Sequence, residues 1–134
     1  MNKYKEPTQD IFNDLIENFS MGEIDAIQKK GEKLVLEYPH SSKLLNILAA
    51  VETQRKNTDK AMEYYQRAIT INPRYAEAHN NLGNLYKKLG NFEKAKSSYE
   101  IALKIKPELY EATYNLGTIF HDMDQYNLAI NKYL

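Results

Sequence analysis

The side chains best suited to acid–base or metal chemistry are three histidines, His40, His79 and His121, and they are scattered along the chain. They lack the paired spacings that turn two ligands toward one ion, and no cysteine is present to complete a zinc set. His79 is expected to pack at a helix start, and His40 and His121 to be wetted surface. Ser97 and Ser98 are adjacent with no base in view, and Gly83, Gly90 and Gly117 do not make a phosphate-cradling loop. Glu93, Lys94 and Lys96 read as a solvated face worth about a few tenths of a kcal/mol. No catalytic residue, metal site or cofactor is expected, and the chain is not read as an enzyme. The asparagines offer a different chemistry. A side-chain amide carries a carbonyl acceptor and an NH₂ donor, the mirror of a peptide bond. Asn81 and Asn115, with Asn84 beside them, therefore suit the holding of an extended main chain.

Composition narrows the partners. The 134 residues are 43% apolar and 27% charged, the balance of a folded chain. Lys plus Arg and Asp plus Glu both total 18, so net charge exerts no general pull on nucleic acid or anionic lipid. No basic stripe with aromatics appears either. Met1 to Asp10 contains no secretory apolar core, and no apolar run approaches the roughly 20 residues of a membrane span. Together with the absence of cysteine, this predicts a soluble, cytoplasmic protein with no nucleic-acid and no membrane partner.

Whatever holds the asparagines repeats along the chain. Pro39, Pro73 and Pro107 stand 34 residues apart, and so do Leu48, Leu82 and Leu116. The same step relates Ala49, Gly83 and Gly117, then Ala61, Ala95 and Ala129, then Tyr65, Tyr99 and Tyr133, and Ala68 with Ala102. The 1–134 array divides into a degenerate capping repeat at 8–41, repeats at 42–75 and 76–109, and a partial one at 110–134.

Each repeat reads as two helices. Ala78, Leu82, Leu85, Tyr86 and Leu89 keep helical spacing until Gly90-Asn91, where Gly90 suits a left-handed helix end and Asn91 the next N-cap. Phe92, Ala95, Tyr99, Ala102, Leu103 and Ile105 form the second helix, which stops before Pro107. Asn57, and Ser41 or Ser42, mark comparable starts. Gly83, Gly117 and Ala49 fall mid-helix, where Gly costs about 1 kcal/mol relative to Ala. That cost fits a partner helix too close for a larger side chain, with Ala61, Ala95 and Ala129 as the facing column. The tyrosine column would fill the space between repeats. In 8–41 only Pro39 and the spacing of Ile11, Leu15, Phe19, Ile27 and Leu34 keep the phase, with Gly31 in the tyrosine column.

The run Asn81-Leu82-Gly83-Asn84-Leu85-Tyr86, followed by Ala95, Tyr99, Ala102 and Pro107, resembles the tetratricopeptide repeat signature. It resembles in particular the asparagine-lined arrays found ahead of glycosyltransferase and other transferase domains. The resemblance implies an all-α, right-handed superhelical solenoid of antiparallel helix hairpins, with the first helix of each pair lining the concave side. Some members of the family grip the C-terminal carboxylate of a chaperone peptide with lysines and asparagines. Asn46, Asn80, Ala50 and Glu111 occupy those positions here, and Glu77 and Asp122 add negative charge, so that reading is disfavoured.

Wheel arithmetic locates the open face. At 100° per residue, Glu77, Asn81, Asn84 and Lys88 share a stripe away from Leu82, Tyr86 and Leu89. Its equivalents are Gln9, Asn13, Ile16 and Ser20, then Lys43, Ile47, Ala50 and Gln54, then Glu111, Asn115, Thr118 and Asp122. The peptide-binding groove is thus expected to include Lys43, Ile47, Asn81, Asn84, Lys88, Asn115 and Thr118, flanked by Asn80 and Tyr114. A protein–protein interaction scaffold follows, or else the substrate-docking arm of a larger transferase-type enzyme. The fourth repeat is expected to turn between Tyr110–Met123 and Gln125–Leu134, with Ala129, Ile130 and Tyr133 packed on the preceding helix. Its outer side would stay open near Ile119, Phe120 and Ile130, and the array would continue further or self-associate there.

Overall fold

The computed structural model describes residues 5–133, with side chains as far as residue 131. These residues form seven α-helices and no strand, in two units, Met1–Pro73 and Arg74–Leu134. This is an all-α repeat of helical hairpins.

The first unit holds α1 (Gln9–Ser20), α2 (Ile24–Glu37), α3 (Ser42–Gln54) and α4 (Thr58–Ile71). Side chains start two of them: the hydroxyl oxygens of Thr8 and Ser41 accept from the backbone N–H of Ile11 and Leu44. The turns inside the hairpins share one closure. Gly22 and Lys56 adopt φ of 77° and 63°, and the N–H of Glu23 and of Asn57 each reaches back to Asn18 and Glu52 at 2.9 Å. Lys56 shows that glycine is favoured at this position without being required. Leu15 and Ile27 of the first hairpin are buried, while Ile11, Phe19 and Leu34 are only partly covered and Phe12, off the expected list, is buried. Leu44, Leu45, Leu48, Ala49 and Val51 of α3 pack with Ala61, Tyr64, Tyr65 and Ala68 of α4. Burial pushes the Tyr65 phenol up to about 12. Glu52 is buried but paired, its carboxylate 3.2 Å from Arg55.

The second unit holds α5 (Ala76–Lys88), α6 (Phe92–Ile105) and α7 (Tyr110–Tyr133). Gly90, at φ 76°, and Asn91, whose side chain accepts from the Lys94 N–H, turn α5 into α6 as the sequence predicts. Gly83 is buried where the helices meet. A Cβ there would lie 2.6 Å from the Tyr99 ring, so the close neighbour is the tyrosine rather than the alanine column. Ala95, Tyr99 and Ile119 form the centre of this core, with Tyr86, Phe92, Leu116 and Met123 against it.

The expected turn in the fourth repeat is absent: α7 runs unbroken for 24 residues. The position that holds Gly22, Lys56 and Gly90 is Asp124, and the N-cap position of Asn57 and Asn91 is Gln125. The first hairpin has Gly22 with Glu23, and the second Lys56 with Asn57. Asn57 takes the N-cap position by residue type and without a side-chain cap bond, whereas α7 has neither a glycine nor an N-cap residue type there, and Gln continues a helix readily. Two further expectations fall with the turn. Ala129 and Ile130 are exposed instead of packed, and a Cβ on Gly117 would meet nothing within 4 Å. The side chain of Tyr133 lies outside the described residues, as does Leu134. Tyr126 leans on Phe92 edge-to-face at 6.2 Å, and Lys96 lies over the Phe120 ring at 5.6 Å.

Candidate functional site

The expected stripes are open on each of their helices. Glu77, Asn81 and Asn84 of α5 are partly exposed and Lys88 is exposed, and Glu111, Asn115, Thr118 and Asp122 of α7 are all at least partly exposed. Helical geometry alone puts them there, because apolar columns on the opposite arc are drawn into the hairpin core. In the first unit Lys43 is exposed, with its ammonium 4.4 Å from the centre of the Phe12 ring, and Ile47 and Ala50 are half-buried. Ile16 of α1 is 49% exposed, which makes this stripe more apolar than its counterpart on α5 and α7.

Contacts within the second unit revise the asparagine reading. Asn80 is only 2% exposed, and its Oδ1 accepts from Asn115 Nδ2 at 3.0 Å. It is a buried joint between α5 and α7 and not a flank of the groove, because it sits one residue round the helix from the open stripe. Tyr114, in its column one repeat later, is 73% exposed. Asn84 accepts at Oδ1 from the Tyr99 hydroxyl at 2.6 Å. Burial, aided by the charges of Glu111 and Asp122, pushes that phenol up to about 12, so it remains a donor at neutral pH. Each of these two amides is therefore fixed at one end by the fold. The NH₂ of Asn84 and the side-chain Oδ1 of Asn115 face an outside partner.

Two lysines that the sequence did not single out complete the surface. Lys87 donates to the Thr118 hydroxyl at 2.8 Å and lies 3.9 Å from Asp122. The same hydroxyl donates to the main-chain carbonyl of Asn115 at 2.7 Å. Lys106 donates to Glu77 at 2.8 Å and holds its carboxyl below the usual value. Both are long-range pairs, at 31 and 29 residues, close to the repeat length, and that spacing was the available signal. Of the histidines, His79 is buried and His40 and His121 are exposed. No helix among the described residues is long and apolar enough to cross a membrane.

Comparison with known proteins places this geometry. Residues 76–109 match the family model described as tetratricopeptide repeat, and residues 50–90 one described as TPR repeat. A stretch of 52 residues, 39% of the chain, is 44% identical to the UDP-N-acetylglucosamine--peptide N-acetylglucosaminyltransferase of Caenorhabditis elegans. The match spans 4% of that protein's length. The Sgt2 TPR domain from Aspergillus fumigatus is similar in structure at TM-score 0.83 and 17% identity, over 95% of this chain and 87% of its own. The first TPR of Spaghetti (RPAP3), bound to HSP90 peptide SRMEEVD, is similar at TM-score 0.77 and 24% identity, over 84% and 89%. At such identities the two structures bear on the fold. Together with the 34-residue period and its hairpins, the matches support a tetratricopeptide-repeat assignment, carried by residues 50–109.

Proposed function

We propose that the chain is a protein–protein interaction scaffold that holds an extended peptide, or an extended segment of a partner protein, on the open stripe of α5 and α7. One observation carries this reading: Asn84 and Asn115 are each anchored at one end of the amide, by Tyr99 and Asn80. An amide held by the fold loses little rotamer entropy when it binds, which favours its use as a ligand for a main chain. Asn84 then supplies donors and Asn115 an acceptor, matched to successive peptide C=O and N–H groups. The solved relative bound to a peptide supports the same class of partner. A gripped C-terminal carboxylate is disfavoured. Asn46 and Asn80, both buried, stand in place of lysines, and Glu77, Glu111 and Asp122 surround the stripe. On this reading the chain contributes binding and no chemistry, and it works in the cytoplasm.

The test selects an extended peptide from a random library and titrates it against the wild type, Asn81→Ala and a control on α6, Lys104→Ala. Asn81 shares the stripe without forming the Asn80–Asn115 joint. Its loss is expected to weaken binding about fivefold, near 1 kcal/mol, while the control leaves it unchanged. Equal affinity for all three proteins would overturn the proposal.

A second reading rests on the match to the peptide N-acetylglucosaminyltransferase. There the array would dock protein substrates for a transferase domain on the same polypeptide. Sequencing the reading frame beyond Leu134 separates the two readings: a glycosyltransferase domain following in frame supports the docking arm, and none supports the scaffold.

A further inference from the structure

On the first two turns of α7 a carboxylate, an aromatic face and an amide oxygen border one spot. Asn115 gives its Nδ2 to buried Asn80, which leaves its Oδ1 outward. Glu111, four residues earlier, is exposed, and among the described residues its carboxylate has no ion pair. Tyr114, three residues after Glu111, is 73% exposed. Side chains three or four apart on a helix stand about 5–6 Å apart at Cβ, so the three groups are neighbours. Besides burial, the charge of Glu111 helps to raise the Tyr99 phenol, whose hydroxyl bonds Asn84. That influence sets the carboxylate on the groove side of α7. Lys87 and Lys106 pair elsewhere, with Asp122 and Glu77.

The other helix of the groove shows what such a carboxylate takes. One period earlier the same three positions are Glu77, Asn80 and Asn81. There Lys106 donates to the carboxylate at 2.8 Å and holds it below its usual value. The position of the ring is a buried asparagine. On α7 the carboxylate lacks a cation from the described chain, and its flank has become an open aromatic face.

We propose that Glu111, Tyr114 and Asn115 form a subsite for an arginine side chain of the bound segment, an inference that rests on the reading of α5 and α7 as a peptide groove. The main-chain N–H of that arginine donates to Asn115 Oδ1. Its side chain spans the one turn, about 5.4 Å, back to Glu111. The guanidinium donates through its fork to the Glu111 carboxylate and lies against the Tyr114 ring. Lysine fits less well, because its ammonium is a hydrated point charge with no flat face for the ring. An acidic residue at this place is repelled by Glu111.

The probe is the tightest peptide selected on the whole chain from a random library, and it is expected to contain arginine. It is synthesised with that arginine kept, replaced by lysine, or replaced by citrulline, which keeps the shape and loses the charge. Each version is titrated against the wild type, Glu111→Gln, Tyr114→Leu and Asn81→Ala. On the wild type, citrulline should weaken binding about tenfold and lysine about threefold. Glu111→Gln should weaken the arginine peptide about tenfold and leave the citrulline peptide unchanged. Tyr114→Leu should weaken the arginine peptide about threefold. Glu111 and Tyr114 are both exposed, so neither change should move the unfolding midpoint. Three results overturn the subsite: selected peptides without arginine, lysine as tight as arginine, or a Glu111→Gln loss equal for arginine and citrulline. In those cases a weakened Asn81→Ala keeps the groove and removes the arginine alone, whereas a silent Asn81→Ala removes both. A library that yields no binder also removes both.

Discussion

In α5 and α6, Gly83 lies beneath Tyr99 and Asn91 caps the helix that comes back; in α7, Gly117 lies beneath nothing and Gln125 stands in mid-helix. Both regions carry the leucine, glycine and alanine columns, so those columns do not themselves make a hairpin. They fit one that the turn has already formed. The first unit supports this. Its second hairpin closes with Lys56 in the left-handed position, followed by Asn57, and its first with Gly22, followed by Glu23. One favourable turn residue of the two suffices, and α7 has neither.

The sharpest way to break this comparison is to make the same change on both sides of it. Gly83→Leu places a side chain against the Tyr99 ring, where a Cβ alone would lie 2.6 Å away, and should cost about 1–3 kcal/mol or more. Gly117→Leu meets open space, and its effect should stay within about 0.5 kcal/mol apart from a gain in helix propensity of up to about 1 kcal/mol. Denaturant unfolding of both, at a concentration where the chain is monomeric, decides the matter. Equal losses would mean that Gly117 too lies beneath a helix.

A smaller effect separates the polar residues. Asn115→Ala removes the donor to buried Asn80 and should cost about 1–3 kcal/mol, since among the described side chains no buried polar atom otherwise lacks a partner. Tyr114→Ala, one residue away and 73% exposed, should change stability by less than about 0.5 kcal/mol. The two unfolding midpoints should therefore differ clearly. If they coincide, the joint contributes nothing and the asparagines are surface residues after all.

The least effect belongs to the ion pair that ties the start of α5 to the end of α6. The hydrogen bond from Lys106 holds the Glu77 carboxyl below its ordinary 4.5. A lowered folded value means stability that is present above about pH 4.5 and lost as pH falls through the folded value. Both side chains are more than a third exposed, so solvent screens the pair and leaves only a small gain. The wild type should exceed Glu77→Gln in unfolding midpoint near neutral pH, and the two should converge in acid. A gap unchanged at low pH would assign the difference to packing.

Much of this was legible in the sequence. The period predicted the hairpins, the caps at Ser41 and Asn91 and the close approach at Gly83, because each depends on residue type at a fixed offset. The open stripes followed from the helical angle. What stayed hidden depends on reach across the repeat. That Tyr99 bonds Asn84, or that Asn115 bonds Asn80, depends on rotamers and on distances between helices that no offset specifies. Asn80 was misplaced for that reason: it borders the stripe on the wheel, while α7 covers it in space. The straightness of α7 had a signal in Asp124-Gln125, but the apolar columns on either side argued for a turn.

Within each unit, every helix packs on its immediate neighbour in the chain or on the next but one. Such contacts close only short stretches of chain, so each requires little loop entropy and none waits on a distant partner. Folding can then begin at any of the three complete hairpins and spread within each unit helix by helix, with the second half of α7 the last to gain anything by joining.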